Sequence, residues 1–194
     1  AQTVFEKAAT AEAAATNIYQ NMMSNANHFA NGYNASITRL CAMASDEMEY
    51  IGTAQNLVDI HGNNVSPDNG TILSVWNTAY QTIYQANDII LGIREATGIP
   101  ERIKSRLLGE ALFIRAFCHF YLANCFADIP LVLDTDYKAN MAVARTPLDI
   151  VYRQIKADLQ DAEALLPEDF GAYNGERVRP NKWAAKALSA RVSL

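Results

Sequence analysis

Apolar residues recur at steps of three and four through most of this chain, and that spacing predicts helices nearly throughout. Residues 5–24 are alanine-rich, with Ala8, Ala11, Ala15, Ile18, Tyr19 and Met22 on one stripe. A second helix is predicted over 72–97, where Ile72, Val75, Trp76, Ala79, Ile83, Ala86, Ile90 and Ile93 share a face and Gly98 follows as a C-cap. A third, over 101–126, carries Leu107, Ala111, Ile114, Cys118, Tyr121 and Cys125. Leu108, Leu112, Phe117 and Leu122 widen that stripe, so this helix is expected to be buried on more than one side. Ile129-Pro130-Leu131-Val132-Leu133 then reads as extended, because proline holds its predecessor out of the helical region.

Thr146-Pro147-Leu148-Asp149 is a start signal, with Thr146 as N-cap and Pro147 as first helical residue. The helix it opens runs to about residue 166, with Leu148, Val151, Ile155, Leu159, Ala162 and Leu166 inward. A loop over 167–179 leads to a fifth helix whose apolar positions include Trp183, Ala184, Ala187, Leu188 and Leu194. The periodicity is still running at Leu194, so 1–194 is read as a fragment of a longer protein whose partner helix is missing. The segment from Gly32 to Thr71 differs: it is rich in Asn, Gly, Ser and Thr, with one helical piece near 39–51 and a polar loop over 59–70. Helix pairs of uneven spacing define an all-α, irregular tetratricopeptide-like repeat, since starts near 101, 147 and 180 share no single period.

Half of the 194 residues are hydrophobic and 19% are charged, which excludes wholesale disorder. The net charge of −5 comes without a basic cluster, so nucleic acid is not an expected partner. No apolar run approaches the roughly 20 residues that span a bilayer. Ala1-Gln2-Thr3 shows no signal peptide, as a mature chain also would not. Cys118 and Cys125 lie seven positions apart on one helix, about 10 Å along its axis, too far for a disulfide. Both read as small hydrophobes.

The motifs of nucleotide-binding and nucleophile-elbow enzymes are missing from the sequence. His28, His61 and His119 stand apart without metal-ligand spacing, so no metal or cofactor is expected. Acid pairs occur at Asp46 with Glu47, Glu47 with Glu49, and Asp158 with Asp161. Such pairs can do acid–base chemistry, as in a helical glycosidase, but charged residues on solvated faces are commoner and no catalytic residue is assigned. Asn-x-Ser/Thr triplets at Asn34, Asn64 and Asn69 arise easily in an Asn-rich segment.

The loops carry a softer signal. Sugar hydroxyls are held by amides and carboxylates, with an aromatic face against the ring, and these types gather at Tyr33 and Asn34, at 61–69, and at Phe170, Tyr173 and Asn174. The candidate ligand residues are His61, Asn63, Asn64, Asp68 and Asn69, which offer donors and acceptors within a short span. Each is also an ordinary turn former.

Gly109-Glu110-Ala111-Leu112-Phe113-Ile114-Arg115-Ala116, followed by Phe126-Ala127-Asp128-Ile129-Pro130-Leu131-Val132, resembles the signature of the SusD/RagB family, with Ala127 where that family usually has glycine. Trp76-Asn77-Thr78-Ala79-Tyr80, the stretch 150–167 and the helix from Arg179 to Leu194 agree in order and spacing. The resemblance implies a nutrient-binding, glycan-type protein without catalytic activity, surface-exposed at the outer membrane of Bacteroidetes. It implies that 1–194 is the N-terminal helical part of such a protein, that its partner is a SusC-like TonB-dependent outer-membrane transporter, and that it has a lipid anchor whose cysteine is absent from this chain. Within it, Trp76, Tyr80, Ile83 and Asn87 read as packing residues, and Glu110 and Arg115 as members of a structural hydrogen-bond network. The alternative is a tetratricopeptide scaffold that binds only protein.

Overall fold

The computed structural model of the chain describes residues 2–24, 29–30 and 36–194, so His28, Tyr33 and Asn34 lie outside the described residues. The helices are α1 Ala8–Ser24, α2 Ile37–Ala44, α3 Gln55–His61, α4 Gly70–Glu95, α5 Glu101–Phe126, α6 Tyr137–Met141, α7 Leu148–Leu165 and α8 Lys182–Val192. Among the described residues, one antiparallel pair, β1 Ile129–Pro130 with β2 Arg145–Thr146, interrupts an otherwise all-α architecture. Two compact units are present: residues 1–18 with 82–194, and residues 19–81. Among the described residues, no helix is long and apolar enough to cross a membrane.

In the larger unit, α5 packs along α7, and α7 along α8. The wide apolar surface of α5 is buried as its pattern predicts, from Leu107 and Leu112 through Ile114, Cys118 and Leu122. Val151, Ile155, Leu159 and Ala162 supply the buried face of α7. Each large aliphatic side chain taken fully out of water here contributes about 1.5–3 kcal/mol. Close approaches favour glycine at several positions. The Phe5 ring lies on Gly92, where a Cβ would stand 2.0 Å from a ring carbon, and Gly109 meets Leu166 where a Cβ would stand 3.0 Å away.

Helix phase corrects some expected positions. On α8 the buried residues are Ala185, Leu188 and Val192. Trp183 and Ala187 sit two positions either side of Ala185, about 200° round the helix, and both face solvent. Trp183 is 52% exposed, with the ammonium groups of Lys182 and Lys186 each 5.7 Å from its ring centre. Leu194 lies past the helix end and is exposed, as are Leu148 in the opening turn of α7 and Cys125 near the end of α5. α4 ends at Glu95, three residues short of Gly98.

The turn after α5 shows what its motif does. Ala127 ends the helix at φ 57° and ψ −122°, a region that favours glycine. Arg145 Nη1 donates to the carbonyls of Phe126 and Asp128 at 3.2 and 2.6 Å. Asp128 Oδ1 then accepts from the Leu148 amide at 3.0 Å, capping α7 from 20 positions away. Thr146 is therefore not the cap: its backbone pairs with Ile129 in the β ribbon, and Pro147 takes the cap position without a side-chain bond.

The smaller unit buries Ile37, Leu40, Met43, Ile60, Val75 and Ala79, with α2 packed on α3. The rings of Trp76 and Tyr80 lie 4.9 Å apart on α4, as packing residues do. The helical piece expected over 39–51 is shorter, at Ile37–Ala44, because Asp46 adopts a left-handed φ of 60° just past the helix end.

Candidate functional site

The polar span 59–70 divides in three. Asp59, Ile60 and His61 close α3, residues 62–69 form a loop, and Gly70 opens α4. Asn69 is buried, and both ends of its amide are committed to backbone. Oδ1 accepts from the Thr71 and Ile72 amides at 3.0 and 3.3 Å, while Nδ2 donates to the Asn56 carbonyl at 3.0 Å. It is the N-cap of a 26-residue helix. Asn63 follows α3 at a left-handed φ of 51°, and its Nδ2 donates to the Ala44 carbonyl at 3.0 Å. That bond ties the loop to the end of α2.

Asn64 and Asp68 are exposed and His61 is half-buried. The Ser66 hydroxyl donates to Asp68, and this bond, with one from the backbone, holds the Asp68 carboxyl below the usual carboxylate range. The loop therefore presents an ionised carboxylate, an amide and an imidazole, held by two asparagines that serve the backbone.

Several other polar groups singled out by sequence belong to interior networks of the larger unit, whereas Asp46, Glu47 and Glu49 are exposed in the smaller one. Arg115 donates from Nε and Nη2 to the two carboxylate oxygens of Asp158 at 2.7 and 2.6 Å, and from Nη1 to Asn87 Oδ1 at 2.9 Å. Asn87 Nδ2 donates to the carbonyls of Val132 and Asp134. Asp158 is thus neutralised in a buried fork, while Asp161 faces solvent, so this acid pair is not an acid–base site. Glu110, 1% exposed, accepts from Arg179 Nη1 at 2.8 Å and from the Tyr173 hydroxyl. Arg106 donates from Nη1 to that hydroxyl at 2.5 Å and from Nη2 to Glu12. Burial, then the Glu110 charge, pushes the Tyr173 hydroxyl up to about 12, so it remains a protonated donor. Glu12, Arg106, Tyr173 and Arg179 line a cavity of about 190 Å³.

Tyr173 is thereby a network residue. Phe170 packs under the Arg177 guanidinium at 5.8 Å and Asn174 supplies a left-handed turn at φ 54°. His119 is fully buried and its Nε2 has no hydrogen-bond partner; burial, then the charge of Arg115, lowers it to about 3. Burial likewise raises the Cys118 thiol. Among the described residues, no group of three or more His, Cys, Asp or Glu could hold a metal ion.

Over residues 4–194 the sequence matches the profile of a SusD-like family described as starch-binding and associating with the outer membrane. The chain belongs to that family. It is 30% identical over 145 residues to SusD-like protein P2 of Formosa agariphila, spanning 74% of this chain and 28% of that protein. With SusD-like protein P25 of the same organism it shares 28% over 131 residues, spanning 67% of this chain and 24% of that one. The crystal structure of a SusD-like carbohydrate-binding protein from Bacteroides fragilis superposes with a TM-score of 0.80 at 26% identity. That match covers 98% of this chain and 37% of the other. The chain thus spans about a quarter of the length of the curated relatives it matches.

Proposed function

We propose that this chain is the helical part of a non-catalytic, surface-exposed glycan-binding lipoprotein that works with a SusC-like TonB-dependent outer-membrane transporter. The observation that carries the reading is the family match across 4–194. The carbohydrate-binding name of the Bacteroides fragilis relative supports it. The loop of the smaller unit suits such a role, because His61, Asn64 and Asp68 offer a mixed donor–acceptor set on a short span whose conformation Asn63 and Asn69 fix.

Titration of the intact protein with a panel of oligosaccharides tests the reading. Saturable binding without turnover supports it. Binding of none, with retention of a protein partner alone, would favour the protein-only scaffold. Co-purification with a large outer-membrane barrel tests the transporter partnership, and recovery as a free monomer in mild detergent would count against it.

A further inference from the structure

The cavity beside Tyr173 lies wholly within the larger unit and is lined from three parts of the chain: Glu12 and Thr16 of α1, Arg106 of α5, and Tyr173 and Arg179 of the segment between α7 and α8. Two guanidiniums wall it. The Arg106 and Arg179 side chains are 13% and 11% exposed, and both lie over the Tyr173 ring, at 5.1 and 5.5 Å from its centre. Their two counter-charges are unlike. Glu110 is buried, held between Arg179 Nη1 and the Tyr173 hydroxyl, with Oε1 3.6 Å from Arg106 Nη1. Glu12, which accepts from Arg106 Nη2, keeps 45% of its side chain in water.

That asymmetry leaves room for a ligand. An ion pair with one partner half in water is weak, because the carboxylate exchanges the guanidinium for solvent at little cost. Glu110 has no such exit, since moving it strands buried charge. With the Glu12 arm swung out, the walls carry two positive charges against one fixed negative charge, so the space beside Arg106 suits a single negative charge. A planar guanidinium pairs with a planar carboxylate through two parallel bonds. A sulfate or phosphate dianion would set its second charge against Glu110. The volume of about 190 Å³ equals that of about six liquid waters and admits an acid between acetate and a single sugar acid in size. The hydroxyls of Thr16 and Tyr173 line the same space.

We propose that this cavity binds a small monocarboxylate, which Arg106 holds in place of Glu12, the protein's own carboxylate occupying the site when it is empty. The test is calorimetry and saturation-transfer NMR on the intact protein at constant ionic strength. The probes are acetate and glucuronate, set against sulfate and the uncharged methyl glucoside. We expect saturable binding of the two carboxylates and of neither control. Glu12→Gln removes the internal competitor and should tighten carboxylate binding by about tenfold. Arg106→Gln should abolish it. Binding by the Glu12→Gln variant but not by the parent overturns the proposal, because Glu12 is then a permanent structural partner. Equal binding of sulfate or methyl glucoside overturns it, as does carboxylate binding that survives Arg106→Gln. If Arg106→Gln does not fold, the comparison of parent with Glu12→Gln decides alone: unchanged or weaker carboxylate binding in Glu12→Gln refutes the displacement.

Discussion

Arg115 and Asp158, 43 positions apart in sequence, meet in a two-bond fork at 2.7 and 2.6 Å with both side chains almost wholly out of water. The pair joins α5 to α7, and a further bond from Arg115 to Asn87 brings in α4. Truncating one partner strands a buried charge, which costs about 3–5 kcal/mol. Arg115→Ala and Asp158→Ala should each lower the urea midpoint strongly. The double variant Arg115→Met, Asp158→Leu should recover much of that loss, because replacing both charges removes the desolvation cost as well. A double variant as unstable as the sum of the singles would contradict the fork as described.

Ala127 occupies a backbone region in which a Cβ is strained. Ala127→Gly is expected to stabilise by about 1 kcal/mol, raising the melting temperature by roughly 2–4 °C for a domain of this size. Ala127→Val should do the reverse. A glycine variant that melts lower than the parent would show that the unfolded-state entropy of glycine outweighs the relieved strain.

His119 links stability to pH. In the unfolded chain an imidazole takes its proton near pH 6.5, whereas burial in the folded protein delays this to about pH 3. The unfolded state therefore binds more protons between those values, and stability falls as pH drops from 6.5 towards 3, by at most about 1.4 kcal/mol per pH unit from this residue. His119→Gln should flatten that slope. Urea titrations at pH 7 and pH 4.5 measure it, and equal slopes in both proteins would mean that the ring is protonated inside the fold.

The asparagines of the loop separate by role. Asn69→Ala removes a cap and should cost about 1–2 kcal/mol in thermal or urea unfolding, with Asn69→Asp retaining much of the cap. His61→Ala, Asn64→Ala and Asp68→Ala should leave the melting temperature nearly unchanged while weakening binding of whichever oligosaccharide the intact protein retains. Unaltered affinity in all three would move the glycan contacts off this loop.

What the sequence determined by itself was local. Helix periodicity is a property of neighbours three and four apart, so α4, α5 and α7 were legible nearly to their ends, and the broad stripe of α5 announced burial on several sides. The reading of Glu110 and Arg115 as structural rested on a motif, not on contacts. The tertiary structure decided which distant groups meet. Asp158 is indistinguishable in sequence from a solvated helix acid until Arg115 arrives beside it, and Thr146 looks a better cap than Asp128 until the β ribbon claims its backbone. Trp183 was misplaced because apolar character on a short helix gives no phase until a partner surface selects one face. In the loop, composition marked the polar span. Only the bonds of Asn63 to Ala44 and of Asn69 to the start of α4 separated residues that shape it from those left facing solvent, since an amide that serves backbone and one that serves a ligand are the same residue in sequence.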